Sequence, residues 1–233
     1  MQLWLCPLIA FLLGSIPFGL LIAKSKGINI REHGSGNIGA TNVLRIVGKK
    51  YGITCLILDA LKGFIPVLLA LNLIQIAGKA PLMQFSFLND FALHLSSADR
   101  FTGQLVHVLT ALAAILGHNY SPWVGFKGGK GIATSAGVLI ALMPVGVVIL
   151  LIVWLVLFFS TRYVAIASIG AAAALPFVTL WGSWSHGYLQ NGTWNKPLFV
   201  FTVIIAILAI WKHRSNLQRL LAGTEHRFER KKV

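Results

Sequence analysis

Residues 132–159 read IATSAGVLIALMPVGVVILLIVWLVLFF and carry no charge. A bilayer crossing takes about 20 apolar residues, so this run is too long for a single span. Its middle holds Met143-Pro144-Val145-Gly146. Proline removes a helix hydrogen bond and disfavours helical geometry in the residue before it, so two helices meeting there are predicted over one bent helix. The rest of the chain is of the same kind: of its 233 residues, 56% are hydrophobic and 11% charged, and the mean hydropathy is +0.77. A soluble domain cannot bury that much apolar surface, which makes the chain a polytopic membrane protein.

Outward from that run, apolar stretches cover 3–23, 52–77, 163–182 and 197–211, and a shorter one at 104–117 crosses only if neighbouring helices shield it. The prediction is an all-α bundle of seven transmembrane helices; five spans with the short pieces re-entrant is the competing count. Short connectors leave no room for a separate soluble module, so 1–233 reads as a single domain. The first run begins almost at Met1, without a basic leader or a small-residue cleavage pattern, and reads as a retained span. Cys6 and Cys55 fall near opposite membrane faces on this topology, beyond disulfide reach.

Lys and Arg outnumber Asp and Glu by 20 to 6, a net charge of +14. In a soluble protein that excess suggests nucleic acid. In a membrane protein it reports cytoplasmic loops first and anionic headgroups or substrates second, and no nucleic-acid partner is expected. Residues 24–50 hold Lys24, Lys26, Arg31, Arg45, Lys49 and Lys50, and the segment from Lys212 onward holds seven Lys or Arg. The segments 78–103 and 183–196 hold only Lys79, Arg100 and Lys196. This bias puts the N-terminus outside, the C-terminus in the cytoplasm, and the loops 24–50 and 119–130 on the cytoplasmic face. Residues 78–103, with Asp90, Asp99 and scattered Phe and Leu, read as an extracytoplasmic insertion lying on the surface.

Three cytoplasmic segments carry the polar chemistry. The first runs Gly34-Ser35-Gly36-Asn37-Ile38-Gly39-Ala40-Thr41-Asn42-Val43-Leu44-Arg45. Glycines let backbone amides approach an anion, and successive amides leading into a helix form a phosphate nest. An ordinary Gly-Ser-Asn turn is the plainer reading, but the length of this run and the closing Arg45 favour anion binding. Neither the dinucleotide glycine pattern nor the Walker lysine spacing is present. The second segment leads from Gly117-His118-Asn119 to Phe126-Lys127-Gly128-Gly129-Lys130-Gly131. Two lysines flanking a glycine pair at a helix start converge charge and dipole on one anion. In the third, His213 and Asn216 share a helix face with Arg219 close to it, although a basic flank after the last span explains the charges equally well. Asp59 and Lys62 lie at helical spacing inside the second run. Ionisable groups there are costly and point into the bundle. Asp59 reads as structural, with Lys62 an outer cation of the site. No carboxylate or histidine grouping has metal-ligand spacing, and no metal or cofactor is expected.

Together these segments closely resemble the signature blocks of the bacterial acyl-phosphate:glycerol-3-phosphate acyltransferases, the PlsY family. Ser-Gly-Asn-x-Gly-Ala-Thr-Asn-Val-Leu-Arg at 35–45, Phe-Lys-Gly-Gly-Lys-Gly at 126–131 and His-x-x-Asn at 213–216 occur in the family's order, with Asp59 and Lys62-Gly63 also matching. Ile38 stands where the family often has proline, Ser121-Pro122 stands for its Phe-Pro, and 78–103 is longer than expected.

The resemblance implies transfer of an acyl group from acyl phosphate to the 1-hydroxyl of glycerol 3-phosphate, on the cytoplasmic face of the bacterial inner membrane, by a monomer in contact with membrane lipid. It implies that the glycine-rich loop, through Gly36, Asn37, Gly39 and Ala40, holds the donor headgroup, with Thr41 and Asn42 shaping it. Ser35, Arg45, Lys127, Lys130, His213 and Asn216 then grip glycerol 3-phosphate, supported by Gly128, Gly129, Gly131, Lys62 and Arg219. Acyl phosphate is already an activated anhydride, so positioning supplies much of the rate and a substrate phosphate oxygen can take the proton, with His213 as the alternative base. The competing function is a carrier for a phosphorylated metabolite. That needs a midplane site between repeated halves, and the sequence shows no repeat.

Overall fold

A computed structural model describes residues 2–228. The chain divides into two compact units, Met1–Pro144 and Val145–Val233. The described residues hold ten α-helices, two short 3-10 helices and one small sheet.

In the first unit, α1 (Gln2–Gly14) and α2 (Phe18–Lys24) form one apolar span, Leu3–Lys24, interrupted at Ser15-Ile16-Pro17. A loop leads to the short α3 (Ala40–Ile46), and α4 (Lys49–Leu73) then runs the length of the unit to the 78–103 insertion. From the insertion, α5 (Arg100–Asn119) packs against α4 and ends with His118 beside Asp59. It is longer at both ends than the apolar run at 104–117, and among the candidate spans it is the most deeply shielded by its neighbours, as the sequence required. The small α6 (Ile132–Leu142) completes the unit. Close packing depends on small residues, as it does wherever helices associate in lipid. A Cβ on Gly14 would stand 2.2 Å from the Ala114 carbonyl oxygen, and one on Gly137 would stand 1.9 Å from that of Ala60. These two contacts press α1 onto α5 and α6 onto α4.

The all-α expectation needs one correction. β1 (Ile74–Ile76) and β2 (Leu93–Leu95) pair in parallel, Ile74 opposite Leu93 and Ile76 opposite Leu95. They close the base of the insertion, and buried Asn72 pins it further by donating to the Leu68 and Met83 carbonyls and accepting from the Phe85 amide at 2.9 Å. A segment that carries its own strand pair and polar anchor holds a set conformation.

The second unit contains α7 (Pro144–Thr161), α8 (Val164–Ser185), α9 (Lys196–Lys212) and α10 (Arg214–Leu221). Trp154 donates to the Ser168 hydroxyl at 3.2 Å, linking α7 to α8. The Asn195 side chain caps α9 by accepting from the Leu198 amide, with Pro197 in the first turn. The α9 and α10 axes meet at His213 with a bend of 49°.

The break expected at Met143-Pro144 is present, since α6 ends at Leu142 and α7 starts at Pro144. The count of long helices is lower than seven. Among the described residues five are long and apolar enough to cross a membrane, six if the bent α9–α10 pair makes one span. At 11 residues, α6 reaches roughly 16 Å, about half of a 30 Å hydrocarbon core.

Candidate active site

The glycine-rich loop is organised from inside by Asn42. This side chain is buried under the loop and donates to the carbonyls of Ile30, His33 and Asn37 at 3.0–3.3 Å while accepting from the Ser35 amide at 3.0 Å. Gly34 and Gly36 adopt positive φ, 59° and 67°, which lets the chain fold around that amide. The Gly36 amide donates to the His33 carbonyl and the Gly39 amide to the Asn37 side-chain oxygen. The amides of Ser35, Gly36 and Gly39 are therefore taken up within the loop, which alters the expectation of an open amide nest. The first-turn amides of α3, at Ala40 and Thr41, face no intrahelical acceptor, as at any helix start. Asn42 supports the loop and is not positioned as a ligand. Arg45 is half-buried in the last turn of α3.

The twin-lysine turn follows α5. Buried Ser121 donates its hydroxyl to the Ser15 carbonyl at 2.6 Å, and the Trp123 indole donates to the Ser15 hydroxyl at 2.8 Å, fastening the turn to the α1–α2 break. Gly128 and Gly129 then run back along the end of α5, donating to the carbonyls of Asn119 and His118 at 3.2 and 3.1 Å. Their role is close approach and not anion donation: a Cβ on Gly128 would stand 1.9 Å from the His118 carbonyl oxygen. Gly131, at φ 82°, starts α6. Lys127 is left exposed and Lys130 half-buried on either side of the pair. Arg31 closes the arrangement, because its guanidinium donates to the Lys127 carbonyl at 2.7 Å. This bond joins the loop after α2 to the turn after α5, so the first two polar segments do meet. Sequence reasoning passed over Arg31; its signal was a cation just upstream of the glycines.

Lys62 lies deeper than the loops. Its ammonium donates to the Ile16 carbonyl at 2.6 Å and pairs with Asp59 at 2.9 Å, with both side chains buried. It braces the α1–α2 break. Asp59 Oδ1 is also 3.6 Å from His118 Nδ1.

In the second unit, buried His213 ends α9 with its Nδ1 2.7 Å from the Ala209 carbonyl. Asn216, also buried, donates to Glu225 at 2.7 Å, and the other Glu225 oxygen accepts from Arg219 at 2.7 Å. Arg219 is thus a neutralised partner of Glu225, a residue the sequence reading did not single out. Among the described residues, no group of three His, Cys, Asp or Glu side chains is placed to hold a metal ion.

The family model for glycerol-3-phosphate acyltransferase matches residues 4–223. The glycerol-3-phosphate acyltransferase of Geotalea daltonii is 42% identical over 221 residues, 95% of each chain. That of Aquifex aeolicus is also 42% identical, over 94% of this chain and 95% of its own. The crystal structure of PlsY, an integral membrane glycerol 3-phosphate acyltransferase, in its glycerol 3-phosphate form, gives a TM-score of 0.77 at 38% identity, covering 98% of this chain and 96% of that one. With motif, sequence and fold in agreement over nearly the whole length, the chain belongs to the PlsY family of integral membrane glycerol-3-phosphate acyltransferases.

Proposed function

We propose that this acyltransferase takes its acyl group from acyl phosphate and delivers it to the 1-hydroxyl of glycerol 3-phosphate at the cytoplasmic face of the inner membrane. The hydroxyl oxygen bonds to the acyl carbonyl carbon, the carbon–oxygen bond to phosphate breaks, and the hydroxyl proton passes to a phosphate oxygen. Lysophosphatidic acid and inorganic phosphate result. The observation that carries this reading is the Arg31–Lys127 bond, which gathers the glycine-rich loop and the twin-lysine turn at one end of the first unit. Cations on both, with Arg45 and Lys130, suit a substrate pair bearing two phosphoryl groups. A solved relative, PlsY, known in a glycerol 3-phosphate form and in a lysophosphatidic acid form, supports the acceptor and the product.

In this reading Ser35, Arg45 and Lys130 of the first unit act on the substrates, Lys127 supplies a further cation, and α3 presents its Ala40 and Thr41 amides to the donor headgroup; the roles of His213 and Asn216 rest on the family's motif alone. Residues 1–233 work as one monomeric domain, supported by a family match that runs unbroken through both units. The N-terminus lies outside, seven helices enter the membrane with α6 packed on α4, and 78–103 sits on the outer face. The basic-residue bias supports that orientation.

Purified protein is given glycerol 3-phosphate with acyl phosphate, acyl-CoA or acyl carrier protein as the only donor. Lysophosphatidic acid and equimolar phosphate are expected from acyl phosphate alone. Product formed only from a thioester donor would overturn the assignment.

A further inference from the structure

We propose that Asp59, inside α4, is a positioning residue for the twin-lysine turn, and that through His118 and Lys62 it sets the enzyme's affinity for the phosphate of glycerol 3-phosphate. Two chains of contact lead from this one buried carboxylate to the turn. On one side Asp59 Oδ1 is 3.6 Å from His118 Nδ1, a contact that becomes an ion pair when the imidazole is protonated. The His118 ring lies beneath the glycine pair, so near that a Cβ on Gly129 would stand 2.2 Å from its Nε2, and the His118 carbonyl accepts the Gly129 amide. On the other side Asp59 holds Lys62, and Lys62 holds the Ile16 carbonyl in the α1–α2 break. The neighbouring residue in that break, Ser15, receives hydrogen bonds from both Ser121 and Trp123, which begin the turn.

The turn between α5 and α6 is therefore fixed at its start through Ser15 and at its glycine pair through His118, and both fixings trace to Asp59. An ion pair buried in a membrane span, here Asp59 with Lys62, is costly and weak as a device for stability alone. It does hold two segments in register with side chains that cannot rotate away. Two lysine ammoniums separated by a Gly-Gly pair converge on one anion only if the backbone between them is held, since glycine gives no stiffness of its own.

This inference rests on the twin-lysine turn being the phosphate site, and the test separates the two. Four full-length variants are compared with the parent: His118→Leu, His118→Gln, the double variant Asp59→Asn with Lys62→Met, and Lys130→Gln. KM and kcat for glycerol 3-phosphate, inhibition by inorganic phosphate and melting temperature are measured for each. The expected result for His118→Leu and the double variant is a KM raised tenfold or more, phosphate inhibition weakened in parallel, and kcat within threefold of the parent. His118→Gln, whose amide can still donate toward Asp59, recovers most of the affinity. Folded His118→Leu and double variants with parental KM, or with lowered kcat and unchanged KM, would overturn the inference. So would failure of both to fold, which would make the cluster a stability element only. An unchanged KM and phosphate inhibition in Lys130→Gln would remove the underlying phosphate reading, and the inference with it.

Discussion

The side-chain oxygen of Asn42 accepts the backbone amide of Ser35 at 3.0 Å, across seven residues of the glycine-rich loop. Its amide nitrogen meanwhile faces the three carbonyls of Ile30, His33 and Asn37. One buried amide thus reads both polarities of the loop. Asn42→Ala abandons these groups and is expected to cost about 3 kcal/mol of stability. Asn42→Asp keeps the acceptor for Ser35 but turns a carboxylate oxygen toward the carbonyls, so it should be worse than alanine despite its shape. Melting temperatures in the order Asn, Ala, Asp, with KM rising in the same order, are expected; an aspartate variant as stable as the parent would show that the side chain does not clamp the loop.

Much of this was legible in the sequence. The proline at 144 divided an overlong apolar run where α6 and α7 divide, and the three polar segments carried the family's residues. What escaped was the division of labour inside them. Ser35, Gly36 and Gly39 looked like phosphate donors because a sequence shows that an amide is present but not what already occupies it. Gly128 and Gly129 looked like part of the phosphate grip when their task is close approach to α5. Lys62 looked available because its partner Ile16, a backbone carbonyl 46 residues away, exists only once the first span breaks. Contacts of that kind leave no periodicity to detect. The strand pair was equally hidden, as three residues alternating in burial are too few to separate from a helix end.

Glycines in the twin-lysine turn separate by function. Gly125 has φ 61° with open space around its missing Cβ, whereas a Cβ on Gly128 meets the backbone of His118 and Asn119. Gly125→Ala should cost about 1 kcal/mol in backbone strain and leave KM within twofold. Gly128→Ala forces the turn off α5 and should raise KM for glycerol 3-phosphate tenfold or more. Steady-state kinetics on the two variants decide the matter, and equal effects would mean that close approach is not what the pair provides.

Glu225 holds two of the residues assigned to the third segment, and its two oxygens do different work. Glu225→Gln retains an acceptor for Asn216 and loses the charge opposite Arg219, whose side chain is 29% exposed. Solvent screening keeps that loss to about 1 kcal/mol. Glu225→Leu removes both acceptors from beside buried Asn216 and should cost about 3 kcal/mol. The glutamine variant should therefore retain most of its kcat/KM while the leucine variant loses at least tenfold. Equal losses would show that the charge on Glu225, and not its acceptor geometry, organises the segment.

His213 offers the sharpest test of how the proton leaves. Its Nδ1 lies 2.7 Å from the Ala209 carbonyl, an oxygen that can only accept, so Nδ1 carries a hydrogen and the neutral ring has its lone pair on Nε2. That tautomer suits a general base and equally a ring that hydrogen-bonds a substrate phosphate when charged. The two roles part in His213→Gln, where an amide can still hydrogen-bond a phosphate but cannot take a proton at neutral pH. Loss of a general base removes about a hundredfold to ten-thousandfold in rate. Acyl phosphate carries its own leaving group and its own proton acceptor, so substrate-assisted transfer predicts a KM raised about tenfold with kcat reduced by less than that. Glycerol 3-phosphate binding measured separately by calorimetry, together with turnover, distinguishes them. Intact binding with turnover reduced a hundredfold or more would make His213 the base and end the substrate-assisted account.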